Sequence, residues 1–143
     1  MDQTTQRLMQ GAAGGGEDKV YVEDVFSTYL YHGNGATQSI NNGIDESGEG
    51  ALTWIKMRSS SGDYHHLYDT ERGAGKTLFS NVDVAEQTTD TDRLSAFNSN
   101  GFSLGNNYRV NGSGRTFASW TFRKSPGFFD CMLYNGNNET AFN

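Results

Sequence analysis

The chain has 143 residues and a formal net charge of −6, from 17 acidic and 11 Lys or Arg side chains. That length fits one domain with a single core, and the acidic balance lacks the basic footprint that nucleic acid or an anionic membrane surface demands. No stretch approaches the ~18 continuous apolar residues of a membrane span, and Met1 to Gly16 lacks the apolar centre of a secretory signal.

The first element predicted is an arm. Thr4 to Gln10 (TTQRLMQ) suits about two turns of helix with Thr4 as N-cap. A helix so short is marginal in water and is ordered only when docked. Thr4, Thr5, Arg7, Leu8 and Met9 are therefore the residues expected to contact a partner. Gly11 to Gly16 follows as a flexible linker. Residues 1–18 read as a tether outside the core.

From Lys19 the pattern turns strand-like. Val20, Val22, Val25 and Phe26 lead into Tyr29-Leu30-Tyr31, closed by the turn His32-Gly33-Asn34-Gly35. Ala51 to Met57 has apolar residues on both faces, as a central sandwich strand requires. Tyr64–Tyr68, Thr77–Phe79, Ser95–Asn98, Phe102–Leu104 and Tyr108–Val110 are further short strands between glycine-bearing turns. Arg115 to Arg123 is the longest alternating run, with Phe117, Ser119 and Thr121 on one side and Trp120 and Phe122 on the other. Phe128 to Tyr134 is the last strand predicted. With 18 Gly against one Pro and no sustained helical period, the chain reads as all-β, a jelly-roll sandwich over residues 19–128.

One internal repeat stands out. Phe26-x-x-x-Leu30-Tyr31-x-Gly33-Asn34-x-x-Thr37 recurs ungapped as Phe129-x-x-x-Leu133-Tyr134-x-Gly136-Asn137-x-x-Thr140. Chance likeness of two Gly/Asn turns is the alternative. A true repeat makes residues 129–143 the opening of a second unit, or a strand exchanged with a neighbouring subunit.

The chemical motifs each have a plainer reading. Arg72-Gly-Ala-Gly-Lys-Thr77 resembles a phosphate loop, but Thr70 stands where its first Gly belongs and a strand follows instead of a helix. His65 and His66, adjacent in a strand, face opposite sides and suit a single metal poorly. Asp83, Asp90 and Asp92 lack the spacing of a helix–loop–helix calcium site. Asp45, Glu46 and Glu49 read as a surface turn, and no pair of acids is placed as a glycosidase needs. Trp54 and Trp120 read as core residues, and the single Cys131 as a buried small hydrophobe. No catalytic residue, cofactor or metal is expected. Tyr64, Tyr68 and Tyr108 are the candidate glycan contacts.

Several stretches carry a family resemblance: Tyr21 to Tyr31, Asn42-Gly-Ile-Asp45, Leu67 to Gly73, Phe97 to Phe102 and, most specifically, Trp120-Thr-Phe-Arg-Lys-Ser-Pro-Gly-Phe-Phe-Asp130. The chain resembles bacteriophage virion proteins of the marine type, tail-fibre or structural proteins with a concanavalin A-like, glucanase-like sandwich. The resemblance covers nearly the whole chain. It departs at Glu46, where those proteins tend to carry an apolar residue, and after Tyr134, where they run on into more sandwich sequence. It implies a virion location, contacts with other tail or capsid proteins, a homotrimer, and a part in host adsorption. A lectin-like module for host surface glycan is the alternative. Neither nucleic acid nor membrane insertion is expected.

Overall fold

The computed structural model describes residues 19–89 and 91–137. Along these residues run α1 (Val22–Val25), β1 (Phe26–His32), β2 (Gln38–Asn41), α2 (Glu46–Glu49), β3 (Ala51–Met57), β4 (His66–Asp69), β5 (Leu78–Phe79), β6 (Leu94–Asn98), β7 (Gly101–Leu104), α3 (Tyr108–Asn111) and β8 (Thr116–Arg123). The strands form two antiparallel sheets, ordered β1-β8-β3-β4-β5 and β2-β7-β6. Their inner faces pack together as a β-sandwich.

The long alternating runs become the central strands. In β3, Ala51, Thr53, Ile55 and Met57 are buried while Leu52, Trp54 and Lys56 are half-buried on the outer face. Strand β8 lies between β1 and β3, pairing Phe26 with Phe122 on one side and Met57 with Phe117 on the other. The core joins Tyr31, Ile55, Met57, Tyr68 and Phe117 of the larger sheet to Ile40, Leu94, Phe102 and Leu104 of the smaller, with Val110 of α3. Each such side chain contributes roughly 1.5–3 kcal/mol on burial.

Two contacts fix how the strands meet. Gly101 opens β7 at φ 131°, and a Cβ there would stand 1.9 Å from the Ile40 carbonyl oxygen of β2, so only glycine lets the two strands approach. Asn111, buried at the end of α3, ties that helix to the loop after β1. Its Oδ1 accepts from the Asn34 backbone N–H at 3.1 Å, and its Nδ2 donates to the carbonyls of Ala36 and Gly105.

Several elements differ from the sequence expectation. Val22–Val25 and Tyr108–Val110 are helical, because Asp24 and Asn107 supply local caps: Asp24 accepts from the Tyr21 N–H and Asn107 from the Arg109 N–H. Gln38–Asn41 is a strand whose polar residues hid it; only Ile40 faces the core. Phe128 to Tyr134 is not a strand. After the bridge between Ser125 and Phe129 the chain runs irregularly, with Met132, Leu133 and Tyr134 exposed. The arm residues Thr4, Thr5, Arg7, Leu8 and Met9 lie outside the described residues, as does Asp90. Among the described residues no helix is long and apolar enough to cross a membrane.

Candidate functional site

The three tyrosines singled out as glycan contacts do not form one patch. Tyr68 is fully buried in the core beside His66, its ring 6.3 Å away and nearly parallel, so it cannot touch an outside ligand. Alternation explains the correction: β4 turns His66 and Tyr68 inward together. Tyr64 and Tyr108 each lie under an arginine. The Arg109 guanidinium lies 5.4 Å over the Tyr64 ring and reaches Asp63 at 3.4 Å, while Arg115 covers Tyr108 at 5.2 Å. Tyr108 is half exposed and Tyr64 partly covered. Arg109, next to Tyr108 in α3, thus ties Tyr64 and Asp63 to that helix.

The tryptophans are not core residues. Trp54 and Trp120 pack 5.7 Å apart on the outer face of the five-stranded sheet, half-buried, and Trp54 Nε1–H donates to His65 Nδ1 at 3.0 Å. His65 therefore faces outward while His66 faces the core. Burial, with Arg93 next, pushes the His66 pKa down to about 3, so its imidazole is neutral at physiological pH. Among the described residues no three His, Cys, Asp or Glu side chains gather as a metal site needs.

The acidic turn holds the largest surprise. Asp45 behaves as expected, capping α2 by accepting from the Gly48 N–H at 2.9 Å. Glu46, however, is fully buried between the sheets. Its carboxyl accepts from Thr53 Oγ1 at 2.7 Å, Asn42 Nδ2 at 3.1 Å and Thr121 Oγ1 at 3.4 Å. Desolvation outweighs these hydrogen bonds and lifts its pKa to about 7. Glu46 occupies a core position, and the helix cap at Asp45 is what turns it inward.

A folded pKa near 7 against an unfolded value of 4.5 makes stability depend on pH. The contribution is complete below pH 4.5 and is lost as pH rises through 7, reaching about 3 kcal/mol. His66 works in the opposite direction, weakening the fold as pH falls from 6.5 toward 3. Denaturant titration should therefore show a plateau between about pH 4.5 and 6.5. Glu46→Gln should replace that plateau, where the two slopes cancel, with stability that keeps rising up to about pH 6.5, because His66 alone then titrates. A Gln variant that keeps the plateau between about pH 4.5 and 6.5 would refute the assignment.

A groove of about 690 Å³ opens at the end of β8, lined by Glu49, Lys124, Pro126, Phe128, Phe129 and Asp130, among others. Lys124 donates to Glu71 at 2.8 Å and lies 3.2 Å from Asp130; hydrogen bonding to Glu71, then Asp130, raises its pKa. Phe129 packs on Phe122 with ring centres 5.6 Å apart, and Phe128 stays half exposed. Cys131 is only half-buried beyond this groove, not the core residue its apolar neighbours suggest.

Residues 22–138 match a domain of unknown function, DUF7483. The chain belongs to that family. No curated protein and no solved structure matches it. In this DUF7483 domain the groove was missed by sequence reasoning because its walls come from the distant Glu49 and from 124–130. The run Lys124-Ser-Pro-Gly127 was its one local signal, since Pro and Gly there force a turn beside exposed aromatics.

Proposed function

We propose that this domain is a non-enzymatic structural module of a tailed-bacteriophage virion, near the anchoring end of a tail fibre or head appendage. It is built on a concanavalin A-like jelly roll, is assembled as a homotrimer, touches other tail or capsid proteins through residues 1–16, and serves host adsorption. The observation that carries an assembly role is the run Met132-Leu133-Tyr134. These residues are 78%, 61% and 91% exposed, an apolar stretch that calls for cover from a neighbouring unit. The phage setting is supported by the sequence resemblance centred on Trp120 to Asp130. A non-catalytic reading is supported by Glu46: the carboxyl poised near neutrality is sealed from any substrate.

Antibody raised against the domain tests this reading. Immunogold labelling should mark a fixed position on purified particles. Label confined to the lysate after particle purification would sink the virion assignment.

The Tyr64, Arg109, Tyr108 surface favours glycan recognition as a second reading. On that reading Tyr108→Ala should reduce binding to host polysaccharide by at least about tenfold, about 1.4 kcal/mol, with no loss of thermal stability. Equal binding by Tyr108→Ala and the parent chain would end it.

A further inference from the structure

The repeat of the β1 sequence at 129–140 acquires physical content once the first copy is seen folded. Tyr31 is buried, stacked 5.1 Å from Phe117 at 13°, and its hydroxyl donates to the Val110 carbonyl at 2.8 Å. Gly33 admits no side chain, since a Cβ would lie 2.2 Å from the Gly112 carbonyl oxygen and 2.8 Å from the Phe117 ring. Asn34 exchanges hydrogen bonds with Asn111, and Phe26 packs 5.0 Å from Phe122. Four of the six repeated residues, Phe26, Tyr31, Gly33 and Asn34, thus seat β1 against the β8 edge and the Asn111 latch, while Leu30 and Thr37 are exposed.

The differing positions have the complementary property. Ser27, Thr28, Tyr29, His32, Gly35 and Ala36 of the first copy become Asp130, Cys131, Met132, Asn135, Asn138 and Glu139 in the second. Of the first set only Ser27 is half-buried; the other five are exposed. Gly35 has φ 70°, and its replacement is Asn, the side chain that tolerates that conformation best. No position buried in the seated strand has changed; the changes fall at exposed or half-buried positions.

At their present place Phe129 packs on the Phe122 ring of its own domain, but Tyr134 and Gly136 lack these contacts. Tyr134 is 91% exposed, and a Cβ on Gly136 would meet nothing within 4 Å. A tyrosine that fits a core slot and a glycine that fits a close approach are displayed where neither slot nor approach exists. The β1 site of this domain is already filled by its own strand, held in place by chain connectivity at an effective concentration on the order of millimolar.

We infer that residues 129–137 are a first strand for a second domain of this same fold, one that has no β1 of its own. They would lie against that domain's β8 edge, with Tyr134 in its core and Gly136 against its Asn111 latch. The inference stands apart from the virion reading, because it concerns what the strand recognises and not where the protein serves.

Two measurements test it. In the first, residues 26–37 of the full chain take the sequence of residues 129–140, through Ser27→Asp, Thr28→Cys, Tyr29→Met, His32→Asn, Gly35→Asn and Ala36→Glu. This chain should melt cooperatively within about 5 °C of the parent. Loss of the cooperative transition would overturn the inference. In the second, a tandem chain runs residues 1–140 directly into residues 38–137, so that the second unit has only the 129–140 sequence as its first strand. Both units should fold, doubling the calorimetric unfolding enthalpy. Tyr134→Ala should abolish the second unit's transition in the tandem chain and leave the melting of the 143-residue chain unchanged. A second unit that stays unfolded, or one indifferent to Tyr134→Ala, would show that the strand does not recognise this groove.

Discussion

Asn111→Asp should lower the stability of the domain by more than about 4 kcal/mol, enough to unfold a protein of ordinary stability. The Asn111 Nδ2 group donates to the carbonyl oxygens of Ala36 and Gly105, and nothing of the residue is open to water. Aspartate is nearly the same shape, but it sets a carboxylate oxygen against those carbonyls in place of a donor. The charge is buried without a cation, which the fold can relieve only by protonation or by opening. Asn111→Ala should cost less, about 2–3 kcal/mol, because it leaves orphaned carbonyls without adding charge. Urea denaturation at pH 7 separates the two. An aspartate variant as stable as the alanine variant would show that Asn111 does not act as the donor described.

Phe117→Ala carries the second large effect, about 3–5 kcal/mol. The Phe117 ring is fully buried, lies parallel to Tyr31 and closes the approach to Gly33. Removing it takes away the wall of β8 against which β1 is seated and opens a cavity between the sheets. The contrast is Leu30→Ala one strand away, where the side chain is 58% exposed and the change should stay within about 0.5 kcal/mol. Equal losses at the two positions would mean that β1 is not held through the Phe117 face.

The large features of this fold were legible because a period of two is a strong signal. Ala51–Met57 and Thr116–Arg123 are long enough for alternation to be unmistakable, and they are the paired centre of the larger sheet. What alternation did not give was which face is inner. Trp54 and Trp120 looked like core residues by size, yet the inner face of those strands carries Thr53, Ser119 and Thr121. Thr53 and Thr121 are buried there because Glu46 takes their hydroxyls as hydrogen-bond donors, while Ser119 donates to the Tyr29 carbonyl. That carboxyl comes from a helix of four residues elsewhere in the chain, so no local pattern could reveal it. Tyr68 failed as a surface candidate for the same reason: its neighbour across the core is set by the other sheet.

Short helices were misread as strands where a single Asp or Asn cap outweighs a β-rich neighbourhood. Tyr108-Arg-Val is a strand by propensity and a helical turn in fact, because Asn107 caps it. The repeat is a likeness of sequence, and burial in the first copy gives it physical content. Tyr31, Gly33 and Asn34 become a set only when they are seen meeting one surface, which Leu30 and Thr37 do not share.

The central claim, that this is an assembly module of a phage particle, is tested most directly by cryo-EM of the purified virion. The DUF7483 sandwich should sit at a fibre or head-appendage base, in threefold arrangement, with the 132–134 segment held against a neighbouring unit and Tyr134 buried there. Particles without the domain, or a domain whose residues 132–134 face solvent while a glycan occupies the Tyr64 and Tyr108 surface, would contradict it.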